Sequence, residues 1–132
     1  MEMGRVVHFE IPVDDVDRAE RFFSKTFGWK LDRQKGPWGE YLTVITGEPS
    51  HDGINGAFYL KKTVPPENAR VINVLDIEDI DAHIDKIKEA GGKIVFGKVI
   101  VKGVGYLAYF RDPNGNILGM MERDDTAGME EK

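Results

Sequence analysis

Apolar and polar residues alternate at the start of the chain. Val7, Phe9, Ile11 and Val13 interleave with His8, Glu10 and Pro12. A period of two sends one set to a buried sheet face and the other to the opposite face, so residues 5–13 predict a strand. The period then changes. Val16, Ala19, Phe22, Phe23 and Phe27 recur at spacings of three and four, the apolar stripe of a core-facing helix. Asp14 or Asp15 offers the N-cap oxygen, and Gly28 stands where the helix must turn out of its right-handed path. Strands are predicted at roughly 29–35, 39–46 and 55–61, separated by the turn-rich segments GPWG and GEPSHDG.

The same pattern then recurs. HFEIPVDDVDRAERFFSKTFGWKL at 8–31 reappears in outline as INVLDIEDIDAHIDKIKEAGGKIV at 72–95, 64 positions on. Asp14-Asp15-Val16-Asp17 falls on Glu78-Asp79-Ile80-Asp81, and Gly28 on Gly92. A weaker echo sets Glu40-Tyr41-Leu42-Thr43-Val44 against Gly105-Tyr106-Leu107-Ala108-Tyr109. The second copy predicts a strand at 71–77, a helix striped by Ile80, Ile84, Ile87 and Ala90, strands near 93–102 and 104–111, an Asp112-Pro113-Asn114-Gly115 turn and a last strand at 116–122. Each copy reads β-α-β-β-β. The predicted fold is α+β: two βαβββ modules in tandem, pseudo-two-fold, forming a curved mixed sheet around a cavity. Module one spans 5–61, the linker 62–70, module two 71–122, and residues 123–132 form a polar tail expected to fray.

Composition narrows the function. A chain of 132 residues with 41% hydrophobic and 31% charged residues is that of an ordinary globular domain. Its net charge of −5 speaks against a nucleic-acid partner, which calls for a basic patch. The absence of cysteine removes disulfides, thiolate metal sites and thiol nucleophiles. No apolar run approaches the length of a membrane span, and no secretory signal pattern opens the chain, so a cytoplasmic location is expected.

VVHFEIPVDDVDRAERFF at the start and DPNGNILGMME at the end resemble the vicinal-oxygen-chelate superfamily, which holds glyoxalases, bleomycin-resistance proteins and extradiol dioxygenases. The resemblance covers about Val6 to Glu122. It implies four symmetric metal-ligand positions in the metal-dependent members, on the first and last strands of each module. Carried over, these fall on His8, Ile72, Gly119 and, with one residue of play in the alignment, Gly56. One ligand of four survives, so no cofactor is expected and a divalent metal is disfavoured. The resemblance also implies a homodimer.

His8 and Glu10 share a strand face, and read either as an acid–base pair or as a polar lining that orients a ligand. Gly56 and Gly119 read either as close packing or as space cleared for an organic ligand. Phe58 and Met121 follow those glycines by two and share their faces; Leu107 and Tyr109 occupy positions that face the cavity in similar glyoxalases, with Leu42 and Val44 as first-module counterparts. The expected ligand-binding set is therefore His8, Glu10, Leu42, Gly56, Phe58, Leu107, Tyr109, Gly119 and Met121, with His8 and Glu10 as the catalytic candidates. Glu122, an odd number of residues beyond Gly119, should face the other way. Trp38 reads as a rim lid or a loop anchor; His51 and His83 read as solvated. Two functions follow: a metal-free protein holding a partly apolar small organic molecule between its modules, or a lyase or isomerase using His8 and Glu10, with or without a divalent metal.

Overall fold

The computed structural model describes residues 3–36 and 39–129, so Trp38 lies outside the described residues. Eight strands and two α-helices are present among them. In chain order they are β1 (Val6–Val13), α1 (Val16–Phe27), β2 (Lys30–Gly36), β3 (Gly39–Ile45), β4 (Asn55–Leu60), β5 (Ile72–Asp76), α2 (Ile80–Glu89), β6 (Lys93–Val101), β7 (Gly105–Arg111) and β8 (Ile117–Arg123). Two short 3₁₀ turns, Lys61–Thr63 and Pro66–Asn68, occupy the predicted linker. The fold is α+β, built from two βαβββ modules.

The chain divides into a unit of Val7–Ile72 and a second made of the residues up to Val6 with those from Asn73 onward. The opening residues thus leave the first module: the Arg5 carbonyl accepts a hydrogen bond from the Asp76 amide at 2.9 Å.

In the first module the strand order is β2-β3-β4-β1. β1 runs parallel to β4, with Glu10 opposite Ala57 and Pro12 opposite Tyr59. β3 runs antiparallel to β4, with Tyr41 opposite Tyr59 and Thr43 opposite Ala57. One sheet face packs on α1 through Val13, Leu42, Val44 and Phe58, joined by Phe9, Ile11, Phe23, Trp29 and Leu31. Phe23 stacks on Trp29 with centroids 4.8 Å apart. Phe22 and Phe27, predicted as core, are instead 55% and 60% exposed. The stripe is wider than the face a single helix can bury, so its flanks stay in solvent.

Local chemistry sets the ends of α1. Asp15 caps it by accepting from the Arg18 amide at 3.0 Å, and Gly28 closes it at φ 73°, a left-handed conformation open to glycine without penalty.

The second module repeats the order as β5-β8-β7-β6. β5 is parallel to β8, with Val74 opposite Gly119; β7 is antiparallel to β8, with Leu107 opposite Met121 and Tyr109 opposite Gly119. Ile77, Ile80, Ala108 and Met120 form the core against α2. Two register shifts interrupt β6, between Ile94 and Phe96 and between Phe96 and Val99. Asp112 builds the hairpin turn that follows β7, accepting from the amides of Asn114 (2.9 Å) and Asn116 (2.8 Å).

The segment after β8 carries local structure. Asp124 accepts from the Thr126 amide and hydroxyl, the Ala127 carbonyl accepts from Gly103, and Ala127 is fully buried. A capped turn and one small apolar anchor organise residues 124–129.

Candidate functional site

Strand pairing decides which side chains share a face, because residues directly opposite one another in a ladder point the same way. On the first module, the face turned away from α1 therefore holds three cross-strand rows. His8 stands opposite Asn55. Glu10, Ala57, Thr43 and Asp32 form the middle row, and Pro12, Tyr59, Tyr41 and Gln34 the third. The face is polar and partly open: His8, Tyr41, Thr43 and Tyr59 are half-buried, while Glu10 is 5% exposed. His8 and Glu10 do share this face, as their spacing requires.

The electrostatics of the face centre on that carboxylate. The Tyr59 phenol is pushed far above its ordinary value, first by burial and then by the negative charge of Glu10, with Tyr41 adding a little. Burial also raises the Tyr41 phenol. Both stay protonated at any working pH. Their rings stack at 5.2 Å between centroids and 22° between planes. The Thr43 hydroxyl donates to the Asp32 carbonyl at 3.3 Å.

Leu42, Gly56 and Phe58 occupy the other face. Leu42 and Phe58 are fully buried in the cluster under α1. Gly56 lies opposite Phe9, and a Cβ there would fall 2.5 Å from the Phe9 ring. Its missing side chain makes room for an aromatic ring of the core, which is the close-packing reading. The strand ladders differ from the repeat alignment by one residue in β3 and β4. Because side chains alternate, a one-residue slip transfers every residue to the opposite face. The true counterparts of Leu107, Tyr109, Gly119 and Met121 are Tyr41, Thr43, Ala57 and Tyr59, as the matching ladders require.

In the second module the corresponding face carries Ile72, Val74, Leu107, Tyr109, Gly119 and Met121. These residues do share a face, and it is apolar. It is also closed: Ile72, Val74, Leu107 and Tyr109 are each at most 1% exposed. A Cβ on Gly119 would lie 3.1 Å from Val74 and 3.2 Å from the Tyr109 ring, so side chains of the module itself fill the space beside it. Met121, half-buried, reaches a shallow depression at the end of β8 with Val104, Arg123 and Asp124.

Glu122 faces away from that set, toward α2. Its Oε1 accepts from the Ile80 amide at 3.0 Å, adding to the Asp79 cap on Ala82. Sequence reasoning assigned its face without finding this helix-capping role.

The ladders also shift one of the four ligand positions that the resemblance implied. They are His8, Ala57, Ile72 and Gly119, with Ala57 replacing Gly56. One imidazole cannot supply the three or more donors that a divalent cation takes from a protein. Among the described residues no group of three His, Asp or Glu side chains converges. These positions do not fit a chelated metal.

Sequence reasoning missed Tyr41, Thr43 and Tyr59. The signal was available in the alternation of GEYLTVI and NGAFYL, where the apolar set Leu42, Val44 and Phe58 needs a core.

Comparison with known proteins adds the family context. The family model described as Glyoxalase/Bleomycin resistance protein/Dioxygenase superfamily matches residues 5–120. A glyoxylase-like domain-containing protein of Didymella fabae is 30% identical, covering 86% of this chain and 89% of its own. A probable lactoylglutathione lyase of Vibrio parahaemolyticus is 27% identical, covering 98% and 99%. Among solved structures, a methylmalonyl-CoA epimerase superposes with a TM-score of 0.69 at 15% identity, covering 94% of this chain and 99% of that one. Among the described residues no helix is long and apolar enough to cross a membrane.

Proposed function

Because this chain belongs to the glyoxalase/bleomycin resistance protein/dioxygenase superfamily, we propose that it is a small-molecule-binding member that holds a partly apolar organic ligand without a chelated metal. The ligand meets the open face of the first module, where His8, Tyr41, Thr43 and Tyr59 surround the buried Glu10. Pocket polar groups of this kind fix a ligand's orientation while apolar contacts supply most of the affinity. The observation that carries the reading is the contrast at the four ligand positions. They hold one imidazole and three residues without a side-chain donor atom, while the first module's face still offers donors, an acceptor and two aromatic rings.

Native mass spectrometry of untagged protein tests this reading. The expected spectrum is free of stoichiometric metal, with a mass increment for a bound organic molecule that is lost in His8→Ala. A stoichiometric divalent ion in the purified protein sinks the reading. The same spectrum tests the expected homodimer.

A second reading is a lyase or isomerase, favoured by His8 and Glu10 sharing one face and by the name of the Vibrio parahaemolyticus relative. In it, Glu10 takes a proton from the carbon next to a carbonyl and returns it, while His8 or the Tyr59 hydroxyl hydrogen-bonds the oxygen that gains charge. Conversion of a carbonyl substrate at a rate lost in both Glu10→Gln and His8→Ala selects this reading; ligand recovered unchanged selects the first.

A further inference from the structure

We propose that the ligand of the first module's open face carries an amphoteric, amino-acid-like head. Its carboxylate is held by Lys30 and Asn55, and its ammonium turns toward Glu48 and Asp52. This rests on the binding reading above and names the ligand class for that face.

The site is a depression of about 600 Å³ at one end of the face, bounded by the β3–β4 loop and the first residues of β2 and β4. Its position follows from the ladders. Lys30 stands opposite Ile45, and Asn55 opposite His8. One step beyond the pair of Val44 and Gly56, the β3–β4 ladder brings Ile45 beside Asn55. Lys30, Ile45, Asn55 and His8 therefore make the end row of the face, and the first three line the depression. Those three are exposed, so the depression opens to solvent. A molecule seated there reaches His8 along the row.

Donors converge on that row. The Asn55 Oδ1 accepts from the Thr46 amide at 3.0 Å and from its hydroxyl at 3.4 Å. A backbone N–H can only donate, so the side-chain amide is fixed in orientation and its Nδ2 hydrogens point away from Thr46. Among the described residues Nδ2 has no acceptor and Lys30 has no ion pair. Lys30 lies two strands from Asn55, roughly 10 Å at about 4.8 Å per strand. The flexible lysine stem and the asparagine side chain close that gap to the span of a carboxylate.

The loop side carries the opposite charge. Glu48 and Asp52 stand on the β3–β4 loop, in a turn closed by the His51 amide donating to the Glu48 carbonyl at 3.0 Å. Neither carboxylate is in an ion pair among the described residues. Gly28, the C-cap of α1, borders the same depression, and the carbonyl end of a helix favours a cation. A purely anionic ligand is repelled on this side, and a purely cationic one meets Lys30 on the other. A head with both charges satisfies both sides. Ile45, 50% exposed, offers apolar surface between Lys30 and Asn55 for the ligand's body.

Three probes with one carbon skeleton test the proposal on the full chain by amide NMR titration. They are leucine, 4-methylpentanoate, which lacks the amine, and 3-methylbutylamine, which lacks the carboxylate. Leucine is expected to bind at least about threefold tighter than either, and to shift the amides of Thr46, Glu48, His51 and Asn55; single exposed charge pairs contribute on this scale. Lys30→Met should weaken leucine and 4-methylpentanoate roughly two- to fivefold without weakening the amine. Asn55→Asp keeps the acceptor for Thr46 but exchanges the two donors for a negative charge, and should act in the same direction. Changing Glu48→Gln and Asp52→Asn together should weaken leucine and the amine but not 4-methylpentanoate.

A smaller advantage of leucine over either singly charged probe overturns the proposal. So does an advantage that survives both Lys30→Met and Asn55→Asp, or a set of shifts confined to residues outside the β3–β4 loop. Absence of shifts with all three probes at millimolar concentration overturns it as well. The binding reading is decided separately, by the organic mass increment in the native spectrum.

Discussion

The two modules are the same unit carrying opposite chemistry. Each packs one face of a four-stranded sheet on its helix, and both cores are made of comparable apolar residues. The other faces differ at matched positions. Glu10 stands where the second module has Val74, Ala57 where it has Gly119, Tyr41 and Thr43 where it has Leu107 and Tyr109, and Tyr59 where it has Met121. One face is polar and open; its counterpart is apolar and closed. Duplication preserved the helix-side core, where every module must bury the same stripe. It left the opposite face to diverge, because nothing in the strand–helix packing depends on it.

Exchanging the two central residues breaks that comparison most directly. Val74→Glu places a carboxylate among fully buried apolar side chains and should cost about 3–5 kcal/mol in urea unfolding. The reverse change, Glu10→Val, gives the first module the second module's residue. Its stability should fall by less than that of Val74→Glu, while binding at that face is lost. Equal destabilisation by the two variants would mean that the faces are not chemically distinct.

A smaller effect separates packing from vacancy at Gly119. Leucine there must displace Val74 and the Tyr109 ring, and overpacking of this kind costs about 1–3 kcal/mol, seen as a lowered unfolding midpoint. An unchanged midpoint would restore the idea that the glycine clears space for a ligand.

The helices sharpen the contrast further. α2 is capped by Asp79 and also by Glu122 from the last strand, and α1 is capped by Asp15. Glu122→Ala should cost about 1 kcal/mol, the usual value of a lost cap, and Glu122→Gln should recover much of it because the amide oxygen still accepts.

The smallest expected effect is on acid stability. Asp112 lies below its ordinary value of 3.8, chiefly because Asn116 donates from its side chain and its amide; Asp15 is lowered chiefly by the Arg18 amide. A carboxyl group whose folded value is depressed adds stability above its unfolded value, and that contribution is lost as pH falls through the folded one. The melting temperature should therefore begin to fall as pH drops toward 3.8 and keep falling below it. Asp112→Asn should flatten that part of the profile. A profile unchanged by Asp112→Asn would show that the turn carries no linked proton.

Much of the fold was legible in the sequence because strand and helix periods are local properties. Both helices, both N-caps and all eight strands follow from spacing, turn residues and the repeat. The face of β1 was also legible, since Phe9, Ile11 and Val13 force His8 and Glu10 to the other side. The faces of β3 and β4 were not. The loops that precede them differ in length between the copies, so the repeat could not fix their register, and a slip of one residue sent Leu42, Gly56 and Phe58 to the wrong side.

The sequence by itself determined the duplicated βαβββ plan and the family. Those depend on residue types and on spacings within an element. Only the tertiary structure decided which residues share a face: strand pairing over long separations makes Tyr41, Thr43 and Tyr59 neighbours of Glu10. It also decided that Gly56 and Gly119 are filled from within their own modules, because occupied volume is a property of packed neighbours.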